Sequence, residues 1–208
     1  MASKRKPTNP SQLWALLFLA CGILAGYFLP ISQPTFLATQ SEAEVSPLPE
    51  GDQPYVEVVF NPVCANLVIR ELKKSKREVY SYLYSFSHTG IGDAFIEIKK
   101  RGVDVYCIID EKEYKRGKAP QVDRLRAAGI TVVLDPRSGL GHDKYTVIDG
   151  KKVLKGSFNY DEGSGVKSYN DTICYHNYKE TVQAFTEDWL KNKAQIAAYK
   201  LRKKRNKK

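Results

Sequence analysis

A chain of 208 residues with 42% hydrophobic and 27% charged residues is long enough to bury the core of one domain and too apolar to be disordered throughout. Its formal charge of +10 sits at the two ends, because Lys4, Arg5 and Lys6 carry three positives, Lys200 to Lys208 carry seven, and the residues between cancel. That excludes a uniformly basic domain that coats a polyanion, and four cysteines without a CxxC pair or metal-ligand spacing exclude a zinc module. Cys107 and Cys174 lie in apolar runs and read as buried hydrophobes.

Leu13 to Ile31 is a run of 19 uncharged, mostly apolar residues behind Lys4-Arg5-Lys6, long enough to cross a bilayer. Basic residues before it and Glu42, Glu44, Glu50 and Asp52 after it predict an N-terminus inside and a body exported to the periplasm or the exterior. An uncleaved anchor is the first reading. A cleaved signal, with secretion of the body, is the alternative, although the small-residue site Ser41-Glu42-Ala43 lies far past the apolar run. Residues 32–54, rich in Pro, Ser, Gln and Glu, read as a flexible linker.

From residue 55 to 199 strands and helices alternate. Tyr55–Phe60 is a strand, and Asn61-Pro62 predicts an N-cap and first helical residue, with Val63, Leu67 and Leu72 as the buried stripe. Glu78–Phe86 is a tyrosine-rich strand, and Tyr80, Tyr82 and Tyr84 read as sheet packing before base-stacking platforms. Ile91, Phe95 and Ile98 share one helical face closed by Gly102. Val103–Asp110 is a β-branched central strand, Val122 and Leu125 mark a short helix ended by Gly129, and Ile130–Leu134 is a further strand. Thr172–His176 is the last strand, and Val182, Phe185 and Trp189 mark a long helix running into a basic tail at 200–208. The fold class is α/β, a mixed sheet sandwiched between helices.

The chemistry concentrates in Gly141–Tyr160. His142 and Lys144, two apart on an extended strand, share a face. Asp149-Gly150 predicts a tight hairpin that returns the chain and brings Ser157 and Asn159 beside the first strand. An imidazole, an ammonium, a hydroxyl and an amide converging on one surface suit a phosphodiester. His176 reads as an ordinary satisfied histidine; His88 does too, or else lines the pocket from the end of Ser85-Phe86-Ser87.

These residues resemble the phospholipase D superfamily, in particular its small single-motif nucleases. The match is H-x-K-x4-D at His142, Lys144 and Asp149, then G-S-x-N at Gly156, Ser157 and Asn159, with Ser85-Phe86-Ser87 and Lys100–Val105 in support. The resemblance implies a phospholipase D-like fold and phosphodiester cleavage through a phosphohistidine, with no metal and no cofactor. It implies a homodimer whose two copies of His142 share one active site, with Lys144 and Asn159 holding phosphate oxygens and Ser157 assisting. Asp149, although part of the motif, falls at the hairpin and takes a structural role more readily than a direct one. Where the family places an acid that orients the imidazole, this chain reads Ser168-Tyr169-Asn170-Asp171, which puts Asn170 at the acid's position and Asp171 one residue beyond. The expected substrate is nucleic acid, cut as by a nonspecific endonuclease. The alternatives are a phospholipid (phosphatidylcholine or cardiolipin) and a weakly active, membrane-held phosphate binder.

Overall fold

The computed structural model describes residues 51–137, 139 and 141–206. The expected anchor and most of the expected linker lie outside the described residues, and no described helix is long and apolar enough to cross a membrane. Seven strands, β1 (Tyr55–Phe60), β2 (Glu78–Leu83), β3 (Asp104–Asp110), β4 (Thr131–Asp135), β5 (Lys144–Ile148), β6 (Lys152–Gly156) and β7 (Asp171–His176), form one sheet in the order β1-β7-β6-β5-β2-β3-β4. Strands β2, β3 and β4 run parallel, and all other neighbours are antiparallel. The helices are α1 (Cys64–Lys73), α2 (Thr89–Lys100), α3 (Glu111–Lys115), α4 (Gln121–Ala127), α5 (Ser164–Lys167) and α6 (Lys179–Arg205).

Period-2 alternation along the strands feeds two separate cores. On one face α1, α2 and α4 cover Val79, Leu83, Val105, Cys107 and Ile109 through Leu67, Leu72, Ile91, Phe95, Ile98, Val122 and Leu125. On the other, α6 lies across Tyr82, Ile108, Tyr145, Val147 and Val153 through Val182, Trp189 and Ile196. Trp189 donates its indole N–H to the Ser81 carbonyl at 3.0 Å, which fixes the helix on the sheet. The expected sandwich of a mixed sheet between helices is therefore the observed architecture.

Several local expectations are corrected. Asn61 does not cap α1: Val63 holds that position without a side-chain bond and is 44% exposed, outside the buried stripe. The Asn61 amide instead donates to the Ser164 and Ser168 carbonyls. Strand β2 stops at Leu83, three residues short, and Phe86 makes only an isolated bridge to Tyr160. Helices α3 and α5, of five and four residues, lie where the sequence pattern predicts none. The Asp149-Gly150 hairpin forms as expected, with φ of 55° and 63° and the Lys151 N–H donating to the Ile148 carbonyl at 3.0 Å.

Candidate active site

Leu83 at the end of β2 pairs with Lys144 at the start of β5, and Gly156 at the end of β6 pairs with Thr172 of β7. The carboxyl ends of the parallel strands thus meet the segments that carry the motif residues, which is where open α/β sheets place their ligands. His142 stands just before β5. The segment leading to it is anchored by Asp110, which accepts the Gly141 N–H at 3.0 Å while capping α3 through the Lys112 and Glu113 amides at 2.8 and 2.9 Å. A Cβ on Gly141 would lie 2.8 Å from the Tyr82 hydroxyl, which is itself bonded to Asp135 at 2.6 Å, so only glycine lets the chain pass this close.

His142 is exposed and meets Lys144 directly. The Lys144 ammonium lies 3.2 Å from His142 Nε2 and donates to the His142 carbonyl at 3.0 Å. The Tyr84 ring packs edge-on against the imidazole at 4.7 Å, with the ammonium 5.3 Å from the same ring's centroid. Burial of Lys144 in this cleft pulls its pKa below the ordinary 10.5, against the opposing pull of Asp143 and Asp161. The cleft itself is shallow, about 240 Å³, and lined by His142, Asp143, Lys144, Tyr145, Lys155, Gly156 and Ser157.

Ser157 and Asp171 form a reciprocal pair. The Ser157 hydroxyl donates to the Asp171 carboxylate and accepts the Asp171 N–H at 3.0 Å, while the Ser157 N–H reaches the same carboxylate at 3.2 Å. Asn159 follows two residues on, and its side-chain oxygen is buried with no hydrogen-bond partner among the described residues.

Of the residues singled out in the sequence, His142, Lys144 and Ser157 line one cleft, with Asp171 bonded to Ser157. Asn170 turns elsewhere, its amide donating to the Ser164 carbonyl at 2.8 Å and its own carbonyl accepting the Asn61 N–H at 3.0 Å. Asp149 lies at the opposite end of β5, roughly 15–20 Å along the strand. There its carboxylate accepts the backbone N–H groups of Lys76, Arg77 and Glu78 at 2.8, 2.8 and 3.1 Å. His88 caps α2, its Nδ1 accepting the Ile91 N–H at 3.3 Å. His176 is buried and stacked on Tyr55 at 4.0 Å, and that burial lowers its pKa.

Tyr80 stacks on Tyr106 and packs on Trp189, as expected of sheet packing, whereas Tyr84 belongs to the site. Sequence reasoning also passed over Lys155, Asp110 and Asp161. Asp110 had a visible signal, the capping-box pattern Asp110-Glu111-Lys112-Glu113. Lys155 had none beyond facing Tyr145 across the hairpin.

Comparison with known proteins places this geometry. Residues 68–192, more than half of the chain, match the family described as cardiolipin synthase, PLD-like domain. The chain is similar to a phospholipase D of Rickettsia typhi, 27% identical over 200 residues that cover 93% of this chain and 97% of that protein. It is also similar to a mitochondrial cardiolipin hydrolase of Xenopus tropicalis, 32% identical over 57% of this chain and 55% of that one. Among solved structures, Nuc of Salmonella typhimurium, a phospholipase D family member, superposes with a TM-score of 0.65 at 28% identity, covering 69% of this chain and 96% of that one. With His142, Lys144 and Ser157 lining one cleft of a mixed seven-stranded sheet, the chain belongs to the phospholipase D superfamily and is a phosphodiesterase of that family.

Proposed function

We propose that the protein cleaves nucleic-acid phosphodiesters by way of a phosphohistidine on His142, as a homodimer in which a second imidazole completes the site. The observation that carries the reading is the exposed His142 imidazole with the Lys144 ammonium at 3.2 Å, in a cleft too shallow to bury a lipid and open enough for one phosphate of a polymer. A neutral Nε2 attacks phosphorus and the P–O bond to the leaving oxygen breaks. That oxygen takes a proton from the partner subunit's His142 in its imidazolium form. Water then attacks the phosphohistidine and yields its proton to the now neutral imidazole. The P–N bond breaks, and a phosphate monoester and free His142 are restored.

Lys144 counters the charge on the non-bridging oxygens, and the Asn159 side-chain NH2 would donate to another. The Ser157–Asp171 pair fixes the cleft wall, and we assign the role of the family's acid to Asp171 in place of Asn170. The fixed ammonium supplies the positive charge that metal-dependent phosphodiesterases take from a cation. The apolar leader would hold this body at a membrane, on its exported side.

A second reading, hydrolysis of phosphatidyl lipids, is favoured by the relatives named phospholipase D and cardiolipin hydrolase. The experiment gives full-length protein supercoiled plasmid, RNA, phosphatidylcholine and cardiolipin in EDTA. Plasmid or RNA should be cut, and His142→Ala should abolish cutting. Cutting that requires added magnesium would overturn the mechanism, and lipid turnover with intact nucleic acid would establish the second reading.

A further inference from the structure

The residues between the two basic termini cancel in net charge, yet the fold sorts them. Three runs, KKSKR at 73–77, KKR at 99–101 and KK at 151–152, come from the end of α1, the end of α2 and the β5–β6 turn. The register places all three at one end of the sheet, where β2 and β3 begin, opposite His142. They are tied together. Asp149 in the turn accepts the Lys76 and Arg77 amides, and Arg101 donates to the Ser75 carbonyl at 3.0 Å.

Nine cations meet six carboxylates here, and the carboxylates are poorly placed to neutralise an outside surface. Glu71 is fully buried beneath Lys74 and Lys152, and Asp149 is consumed by backbone amides. Glu78, Glu97, Asp104 and Asp52 make only surface pairs of 3.2–3.8 Å, which contribute little. Helix C-termini attract cations and account for Lys73, Lys99 and Lys100. They do not account for Lys76, Arg77 and Lys151, which lie on a loop and the hairpin turn, whereas Lys152 is held by buried Glu71. Two clefts of about 540 and 690 Å³ open between the runs. Ser75, whose buried hydroxyl has no partner among the described residues, lines the second.

We propose that this basic end is a docking surface for an anionic lipid bilayer, seated on phosphate headgroups, so that the His142 cleft faces away from the membrane. Charge complementarity is one argument, at about 1 kcal/mol per lysine or arginine near such a surface. The path of the chain is the other. The body begins at this end, with Asp52 beside Lys151 at 3.4 Å, about 20 residues after the apolar run that ends at Ile31. A chain of that length with the composition expected of a flexible linker would span roughly 25 Å. This argument rests on the anchor reading above, and it deepens the choice of substrate: a cleft turned away from its own bilayer meets soluble polymers before lipids. A nucleic acid lying on the basic end would be roughly 15–20 Å from His142 along β5 and out of reach of the imidazole, so lipid is the better occupant.

The test uses the full-length chain carrying His142→Ala, so that binding is read without catalysis. Lysine acetylation is followed by mass spectrometry with vesicles of phosphatidylcholine alone or with roughly 30% phosphatidylglycerol. Lys76, Lys100 and Lys151 should react about fivefold more slowly on the anionic vesicles only. The K76E/K100E/K151E variant should lose protection at Lys74 and Lys152. Equal rates on both vesicles, protection confined to Lys203 and Lys204 in the tail, or protection by an oligonucleotide and not by vesicles would each overturn the proposal. A failed plasmid assay would leave this result standing, so the two readings fail separately.

Discussion

Gly156 and Ser157 are neighbours in one motif, and packing demands the first while chemistry demands the second. A Cβ on Gly156 would sit 2.3 Å from the Asp171 carbonyl oxygen, a backbone atom that cannot swing aside. Gly156→Ala should therefore cost about 3 kcal/mol and part β6 from β7, seen as a lower urea midpoint. Ser157 bonds Asp171 in both directions, so Ser157→Ala and Asp171→Asn remove parts of one unit. Each should slow turnover roughly tenfold to a hundredfold, and the double variant should lose little more than the worse single. Asn170→Ala, by contrast, should loosen the loop at Ser164 and spare the rate at low temperature. Lys144 offers a pH test. Its pKa is lowered by burial, so the ammonium is lost at a less alkaline pH than the ordinary 10.5. The kcat/KM profile should fall on the alkaline side below that value. Lys144→Arg, which keeps its charge, should move the limb upward while lowering the plateau.

At the scale of elements, legibility in the sequence followed periodicity. Ile91, Phe95 and Ile98 mark α2 because a full apolar face recurs over three turns, and β3 is announced by its β-branched run. Helices of four or five residues, α3 and α5, have no room for a period and went unseen. Asn61-Pro62 carried the local signature of a helix start, but two carbonyls of the 164–168 segment compete for the Asn61 amide, a tertiary demand no local pattern reports. In the site the spacing of His142 and Lys144 was legible. The choice between Asn170 and Asp171 was not, because it depends on how β7 begins against β6. Helix α1 carries a buried charge with a testable consequence. Burial alone would raise the Glu71 carboxyl, but bonds from Lys152, Lys74 and Arg70 outweigh it and hold the pKa at about 2. A depressed carboxylate contributes stability above its unfolded value of 4.5 and loses it as pH falls towards 2. Glu71→Gln should lower stability at pH 7 by about 1–3 kcal/mol, allowing for the partners' contact with water, and flatten that acid limb in denaturant titrations.

For the whole molecule the question is how many polypeptides make one site. Among the described residues no second imidazole accompanies His142: His88 is committed to capping α2, and His176 is buried at the far end of β7. Phosphodiester cleavage by a histidine nucleophile needs a proton for the leaving oxygen, and the nearest fixed cation, Lys144, is also needed by the phosphate oxygens. A second copy supplies the missing acid if two His142 side chains face one another across a two-fold axis. Mixing makes this quantitative. If wild type and His142→Ala exchange subunits at equal concentration, about one quarter of the pairs hold two imidazoles, and the rate should fall to about one quarter of that for the same total of wild type. Independent sites would give one half, and that result, with subunit exchange verified by tagged capture, would return the whole reaction to a single chain and require Lys144 or water to protonate the leaving group.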